Sequence, residues 1–425
     1  MARKMKDSGI EWIGEIPEGW EIKYFVQLFS QVKSKNIGLR EKNLLSLSYG
    51  KIKQKSIETV GGLLPDNFEG YNIIDRNDIV LRLTDLQNDQ HSLRVGLSHE
   101  RGIITSAYCS IRVRGAESPN YLYYYLHTFD IAKGFYGMGS GVRQGLNWDG
   151  LKYIKILLPP QHEQDRISVF LNQKTLEIDS MLSKTISSIE EYKKLKQAVI
   201  TQAVTKGVRG EREMKDSGVE WIGAIPKDWE IKRLKSFCTI VDCKNRTPDV
   251  FPDGKYTVVR TTCIKDCSFS YEGSYQTDTT NFKAWTLKGQ PHKGDIFFTR
   301  EAPVGEACLV PNADNLCMGQ RVMFFRPEDN SDARYIMYSI YGPLVREYIA
   351  SKNSGSTVGH LKLGQVACIP IFYCPPLEQK EIADYLDAKC AEIDRLIAKK
   401  EQLVKELEGY KKSLIYEVVT GKREV

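Results

Sequence analysis

Met5-Lys-Asp-Ser-Gly-Ile-Glu-Trp-Ile-Gly-Glu-Ile-Pro17 returns as Met214-Lys-Asp-Ser-Gly-Val-Glu-Trp-Ile-Gly-Ala-Ile-Pro226, and both copies run on into Trp-Glu-Ile-Lys, at Trp20 and Trp229. The copies stand 209 residues apart in a chain of 425. Self-similarity over half a chain outranks every local signal, because each structural unit then has to be explained twice. A second pair follows: Pro159-Pro160-Gln-His-Glu163-Gln164 and Pro375-Pro376-Leu-Glu378-Gln379 each open a long helical stretch. From Glu163 onward the stretches align without gaps at an offset of 215, with Ile167 matching Ile382, Leu171 matching Leu386, Glu177-Ile-Asp179 matching Glu392-Ile-Asp394, and Thr205 matching Thr420. The paired prolines end what precedes and launch the helices, and Gly207 and Gly421 stand where C-caps belong.

Apolar residues in the second helical stretch, Ile393, Leu396, Leu403, Leu407, Tyr410 and Leu414, alternate at spacings of three and four with Lys400 interrupting, which predicts a coiled-coil seam. The first stretch carries Ile178, Met181, Tyr192, Leu195 and Val199 at the matching places, with Thr185 and Ser188 between them. At 1.5 Å per residue, about 43 helical residues extend roughly 65 Å, too long and too narrowly striped for the inside of a globule. Between the helices lie segments rich in Gly, Tyr, Val and Ile, with alternating runs such as Tyr108-Cys-Ser-Ile-Arg-Val-Arg114 and Val322-Met-Phe-Phe-Arg326. Each also contains one short helical stretch, Asn120 to Tyr136 and Asp332 to Ser351, so each globule is mixed α and β. The expected divisions are 1–160 (globule), 161–207 (helix), 208–376 (globule) and 377–425 (helix).

Composition is that of an ordinary folded protein, 41% hydrophobic and 27% charged. The net charge of +6 is too small at this length to argue for nucleic acid unless a patch concentrates it. No apolar run approaches the roughly 18 residues of a membrane span, and Met1 to Lys6 leads into Asp-Ser-Gly rather than a signal sequence, so a cytosolic protein is expected. The ten cysteines are expected to be reduced core residues; Cys238, Cys243, Cys263 and Cys267 lack the CxxC pairs of zinc sites, and no metal is expected.

The doubled entry motif, the Pro-Pro-x-x-Glu-Gln helix start, and Gly294-Asp-Ile-Phe-Phe-Thr-Arg300 followed by Gly319-Gln320 together resemble the DNA-specificity subunits of type I restriction-modification systems, over nearly the whole chain. The first globule departs from the Gly-Asp-Ile pattern, with Asn77 for Gly and Arg82 two residues after Val80. The resemblance implies an α+β fold: two mixed α/β target recognition domains and two long helices forming an antiparallel coiled coil, with a pseudo-two-fold internal repeat. It further implies that each globule reads one half of a bipartite, asymmetric site in double-stranded DNA, while the coiled coil sets the spacer and docks two modification methyltransferase subunits. Two restriction/translocase subunits complete the full complex. S-adenosylmethionine, ATP and Mg are expected in those partners and no cofactor in this chain.

Reading sequence takes side chains at base edges, Arg and Lys toward guanine, Asn and Gln toward adenine. Polar, Gly-flanked loops supply the candidates: Lys51, Lys53, Gln54, Lys55, Arg82, Arg143, Gln144 and Asn147 in the first globule, and Lys244, Asn245, Arg246, Arg300, Lys352, Asn353 and His360 in the second. Catalytic signatures fail on context. Gly137-Met-Gly139-Ser-Gly141 follows an aromatic helix rather than a buried strand, Leu158-Pro-Pro-Gln161 lacks the polar head and aromatic of amino-methylating enzymes, and only three residues separate Asp249 from Asp253. The competing readings are an enzyme with fused catalysis and a coiled-coil adaptor without DNA preference; neither accounts for a duplicated frame carrying unlike globules.

Overall fold

The computed structural model describes residues 3–56, 67–86, 93–138, 145–353 and 359–425. By contact the chain divides into two compact units, Met1–Ile186 with Gln402–Val425, and Ser187–Glu401. Each unit holds one globule.

The first globule is built on a four-stranded antiparallel sheet. We number its elements β1 (Glu21–Tyr24), β2 (Phe29–Gln31), β3 (Ile79–Leu81), β4 (Val95–Leu97), β5 (Cys109–Val113), α1 (Pro119–Ile131) and β6 (Lys155–Leu158), followed by the long helix α2 (Gln161–Lys206). The sheet order is β2-β5-β3-β4, and β1 pairs separately with β6. The second globule continues with β7 (Glu230–Arg233), β8 (Cys238–Val241), β9 (Ile296–Arg300), β10 (Val304–Leu309), β11 (Val322–Pro327), α3 (Ala333–Ile340), β12 (Pro370–Tyr373) and the long helix α4 (Pro376–Val419). Its main sheet runs β8-β11-β9-β10 and β7 pairs with β12, so the topology of the first globule is reproduced strand for strand. Around that common frame the accessory strands differ: the second globule adds a three-stranded sheet containing a parallel pair, Tyr256–Val259 with Leu316–Met318. The α+β class and the duplicated architecture expected from the sequence are what the structure contains.

The repeated motifs are joints between globule and helix. In the entry motif, Met5–Asp7 pairs with Glu15–Pro17 and Met214–Asp216 with Ala224–Pro226. Asp7 and Asp216 each accept a hydrogen bond from the glycine two residues on, and both glycines sit at positive φ (59° and 73°), a conformation that strains residues bearing a Cβ. Trp20 and Trp229 are buried, with Arg3 and Arg212 each 5.7 Å from the indole. Those arginines bind the helix-start glutamates: Arg3 Nη2 lies 2.5 Å from Glu163 Oε2, and Arg212 pairs with the fully buried Glu378. The next residue completes each joint. Gln164 accepts from the Ser118 amide (2.9 Å) and donates to the Pro159 carbonyl (2.9 Å); Gln379 accepts from the Asp332 amide (3.0 Å) and donates to the Cys374 carbonyl (2.9 Å). Ser118 and Asp332 are the N-caps of α1 and α3, so one glutamine side chain ties together a strand end, a short helix and a long helix.

Within each unit the long helices run antiparallel. In the first unit Lys411 Nζ is 2.6 Å from Asp179, and Arg166 reaches the Val425 carbonyl; in the second, Lys196 Nζ is 2.7 Å from Asp394, and Lys400 lies 5.7 Å from the Tyr192 ring. The two Lys–Asp pairs are repeat-equivalents of one another, the reciprocity expected where two copies of one surface meet. Each core is completed by the far end of the other copy's helix. Leu414, Ile415, Val418 and Val419 pack with Trp20, Tyr121 and Leu157; Ile200, Ala203 and Val204 pack with Trp229, Tyr335 and Phe372.

The seam corrects the sequence reading at four of its positions. Ile178, Ile393 and Leu414 are buried and Tyr192 and Leu407 half-buried, as expected, but Met181, Leu195, Leu403 and Tyr410 are between 42% and 53% exposed. Leu396 is half-buried; the seam positions one residue later are Leu182, Ile189 and Lys196 in α2 and Ile397, Val404 and Lys411 in α4. At Met181-Leu182, Leu396-Ile397 and Leu403-Val404 apolar side chains stand at both adjacent positions, so apolar content there does not choose the register. The seam also accepts two lysines, whose aliphatic stems line it while each ammonium meets a carboxylate at its edge.

Candidate nucleic-acid interface

Three chain segments of the second globule meet at the end of β9. Arg300, the last residue of that strand, is turned inward and its side chain is only 12% exposed. Its Nη1 donates to Asp242 Oδ1 at 3.0 Å and its Nη2 to Asn245 Oδ1 at 3.0 Å, which fastens the loop that follows β8. Its own backbone is held on both sides: the Arg300 amide donates to the Arg321 carbonyl and the Leu361 amide to the Arg300 carbonyl, both at 3.0 Å. Gln320 donates to the Asn245 carbonyl (3.3 Å), Arg321 pairs with Glu301 (2.6 Å), and His360 forms an isolated bridge with Glu301. Trp285, buried beside this loop, donates its Nε1 to the Arg246 carbonyl (3.2 Å) and carries Lys244 Nζ 4.7 Å and the Arg246 guanidinium carbon 5.1 Å from its ring. The result is a corner where three stretches far apart in sequence, Lys244-Asn245-Arg246, Arg300 and His360, come together around polar partners. Arg321 and Asn245 are exposed there.

The first globule has the same corner. The Leu146 amide donates to the Leu83 carbonyl at 2.8 Å, as Leu361 does to Arg300, so Leu83 rather than Arg82 stands in the place of Arg300. Arg82 is half-buried at the end of β3, its amide on the Arg94 carbonyl. Asn147 spends its side chain as an N-cap, accepting from the Gly150 amide at 3.1 Å. Lys51, Lys53, Gln54 and Lys55 lie on and just after the exposed strand Lys51–Gln54, whose hairpin closes over Gly96 of β4 through Leu47 and Ile52. Lys51 is drawn to the long helix instead of outward, 2.9 Å from Asp179. Burial pushes the Asp179 carboxyl up, but hydrogen bonds from Lys411 and Lys51 outweigh it and hold the group below its ordinary range. Arg143 and Gln144 lie outside the described residues, as does the side chain of Asn353. Lys352 is exposed on the helix Pro343–Asn353, over the ring of Tyr348, and among the described residues no hydrogen bond or ion pair joins it to the Arg300 corner.

The sequence reading missed Trp285, Asp242, Gln320 and Arg321. Trp285 stands some 40 positions from the basic loop it supports, and no spacing rule connects them. Gln320 lay in a recognised motif, and Arg321 beside it is set outward by a left-handed backbone (φ 76°). The Asp of Gly294-Asp-Ile is structural: Asp295 and its counterpart Asp78 are buried and take bidentate bonds from Arg326 and Arg112 (2.7 to 3.0 Å). Asn77 holds φ 72° where Gly294 holds 96°, so the departure of the first globule from the pattern changes the residue and keeps the turn.

Among the described residues no group of three or more His, Cys, Asp or Glu is placed to hold a metal ion. Burial pushes the Cys238 thiol up to about 12, so it stays protonated. No helix among the described residues is long and apolar enough to cross a membrane.

Residues 226–406 match a family model for the type I restriction modification DNA specificity domain. A Methanocaldococcus jannaschii chain described as the MjaX type I restriction enzyme specificity subunit is 24% identical over 425 residues, covering 96% of this chain and 95% of that one. The MjaVIII specificity subunit of the same organism is 23% identical over 422 residues, covering 96% and 93%. A solved structure concerned with complex assembly and conformational transition of the type I R-M system contains a chain of similar fold, with a TM-score of 0.68 at 15% identity and coverage of 96% of this chain and 99% of that one. Doubled joints, matched sheets and this likeness along nearly the full length agree: residues 226–406 match the type I restriction modification DNA specificity domain, and the chain as a whole is similar to type I restriction enzyme specificity subunits.

Proposed function

We propose that each globule reads one half of a bipartite, asymmetric site in double-stranded DNA, and that the chain performs no chemistry itself. The observation that carries this reading is the contrast between frame and corner. The joints at Glu163-Gln164 and Glu378-Gln379 share their arginine–glutamate pair and the two main-chain bonds of the glutamine, whereas the corner at Arg300 and its counterpart at Leu83 present different side chains. Two similar frames with unlike polar surfaces suit two different half-sites, with phosphate contacts positioning each globule and base-edge contacts discriminating. Arg321, Asn245 and Arg246 are the base or phosphate contacts we favour in the second globule; Lys53, Gln54, Lys55 and Arg82 are those in the first.

The paired helices set the unread spacer and dock two modification subunits, which bind S-adenosylmethionine and methylate adenine; two restriction subunits using ATP and Mg join in the full complex. Docking is supported by the apolar residues left outside the seam. Met181 and Leu396, and Leu195 and Tyr410, are repeat-equivalent pairs, of which Met181, Leu195 and Tyr410 are exposed and Leu396 half-buried. Such a duplicated apolar stripe suits two copies of one partner.

Head exchange tests the reading. Replacing residues 227–376 with the corresponding segment of another member and co-expressing the modification subunit should change one half-site in methylome sequencing and leave the other. Alteration of both halves would overturn the assignment of one globule to one half.

A further inference from the structure

In the first globule, Arg94 is fully buried immediately before β4. Its guanidinium gathers three consecutive-turn carbonyls, those of Arg82 (3.2 Å), Thr84 (2.8 Å) and Asp85 (3.2 Å), and its Nε donates to the Tyr136 hydroxyl (3.2 Å). The backbone so gripped is not a relaxed one, since Asp85 holds φ 59°. From the other side, Leu146 holds Leu83. In the second globule the equivalent stretch is gripped through Arg300, which faces Asp242 and Asn245 from within. Different residues at different positions thus place a planar cation across several acceptors at each corner, Arg94 spanning main-chain carbonyls of the turn after β3 and Arg300 tying its own segment to side chains of the loop after β8.

We propose that Arg94 and Arg300 are the positioning residues of the two reading corners, each setting the backbone from which its globule discriminates one half-site while touching no base itself. The inference rests on the reading of the two globules given above. It departs from the expectation that Arg300 meets guanine directly, because both of its terminal nitrogens are committed inside the protein.

The planar fork is the feature at stake, so Lys is the informative replacement: it keeps the charge and cannot span several acceptors at once. Arg94→Lys, Arg300→Lys and Asp242→Asn would be made in the full chain, co-expressed with the modification subunit, and examined by methylome sequencing together with thermal unfolding of the purified complex. Asp242→Asn leaves Arg300 in place and weakens only its inward anchor, so it reports on positioning even where a Lys variant folds poorly. The expected result is a loss of about tenfold in base discrimination, roughly the effect of one good base contact, spread over the positions of one half-site, with the other half unchanged. Arg94→Lys would relax one half, and Arg300→Lys and Asp242→Asn the other. Wild-type discrimination in all three variants would overturn the proposal, as would loss at a single base position in Arg300→Lys with Asp242→Asn unaffected, which is the signature of direct contact. Equal decay of both half-sites with a lowered melting temperature would assign the arginines to overall stability instead. A wild-type complex that modified no defined sequence would defeat the underlying reading, and is distinguishable from all of these.

Discussion

Asp78 and Asp295 show how a motif residue can be mistaken for chemistry when it is architecture. Each is buried at the start of a central strand and held by both arms of an arginine from the neighbouring strand, Arg112 or Arg326. Removing one partner of a buried pair leaves the other uncompensated, but both arginines are more than 40% exposed, which screens part of the loss. Asp295→Ala is expected to destabilise the second globule by about 2 kcal/mol in urea unfolding, without moving the other globule's transition. His127 offers a pH signature. Burial, with Lys411 and Lys412 nearby, depresses its imidazole from 6.5 to about 4. The unfolded chain therefore takes up a proton below pH 6.5 that the folded chain refuses until pH falls to about 4, so stability declines across that window as pH falls, by about 3 kcal/mol at its foot. Melting temperature measured between pH 7 and 4 should fall in wild type and flatten between pH 6.5 and 4.5 in His127→Phe; an unchanged slope would remove His127 from the account. Asp179, held low by Lys411 and Lys51, loses its contribution further down, as pH drops below the ordinary carboxylate range.

Among the elements, the long helices carry a testable register. Ile189 is 7% exposed and Leu195 48%, although both stand on the apolar side of the same helix. Ile189→Ala should cost about 2 to 4 kcal/mol, as truncations in packed sites do, and Leu195→Ala about 0.5 kcal/mol or less, as exposed changes do. The comparison needs only chemical denaturation of the two variants; equal losses would restore the register that apolar content alone suggests. The helix starts are a second case. Gln164→Ala strands the Ser118 amide and the Pro159 carbonyl in a buried joint, and an unsatisfied buried group costs about 1 to 3 kcal/mol. Gln379→Ala should do the same at Asp332 and Cys374, with amide exchange rising at the start of α3.

For the whole molecule, the order of the chain and the order of its cores differ. The last helical turns, Leu414 to Val419, complete the core of the globule that begins the chain, and the Tyr121 hydroxyl donates to the Val419 carbonyl at 3.3 Å. Deleting residues 412–425 is therefore expected to lower hydrogen-exchange protection in α1, hundreds of positions away in sequence, and to leave α3 protected. Loss of protection in both would mean the globules do not fold as separate units. The proposed spacer role predicts a further result: one heptad inserted in both α2 and α4 should lengthen the unread interval seen in methylome sequencing, whereas insertion in one helix alone should disturb pairing.

The doubling was legible from residues alone, because Trp20 and Trp229, Glu163 and Glu378, and Gln164 and Gln379 must keep their identities to close the same joint twice. Helix ends and the mixed character of each globule followed from proline, glycine and apolar period, which act over a few neighbouring residues. The seam register was not legible, since Met181 and Leu182 are equally apolar and only the opposing helix, with its Lys–Asp pairs, selects between them. Nor was the inward turn of Arg300, or the support of Lys244 and Arg246 by Trp285. Those depend on which distant segments the sheet brings within 3 to 5 Å, and hydrogen bonds and ring contacts are decided at that range rather than by spacing along the chain.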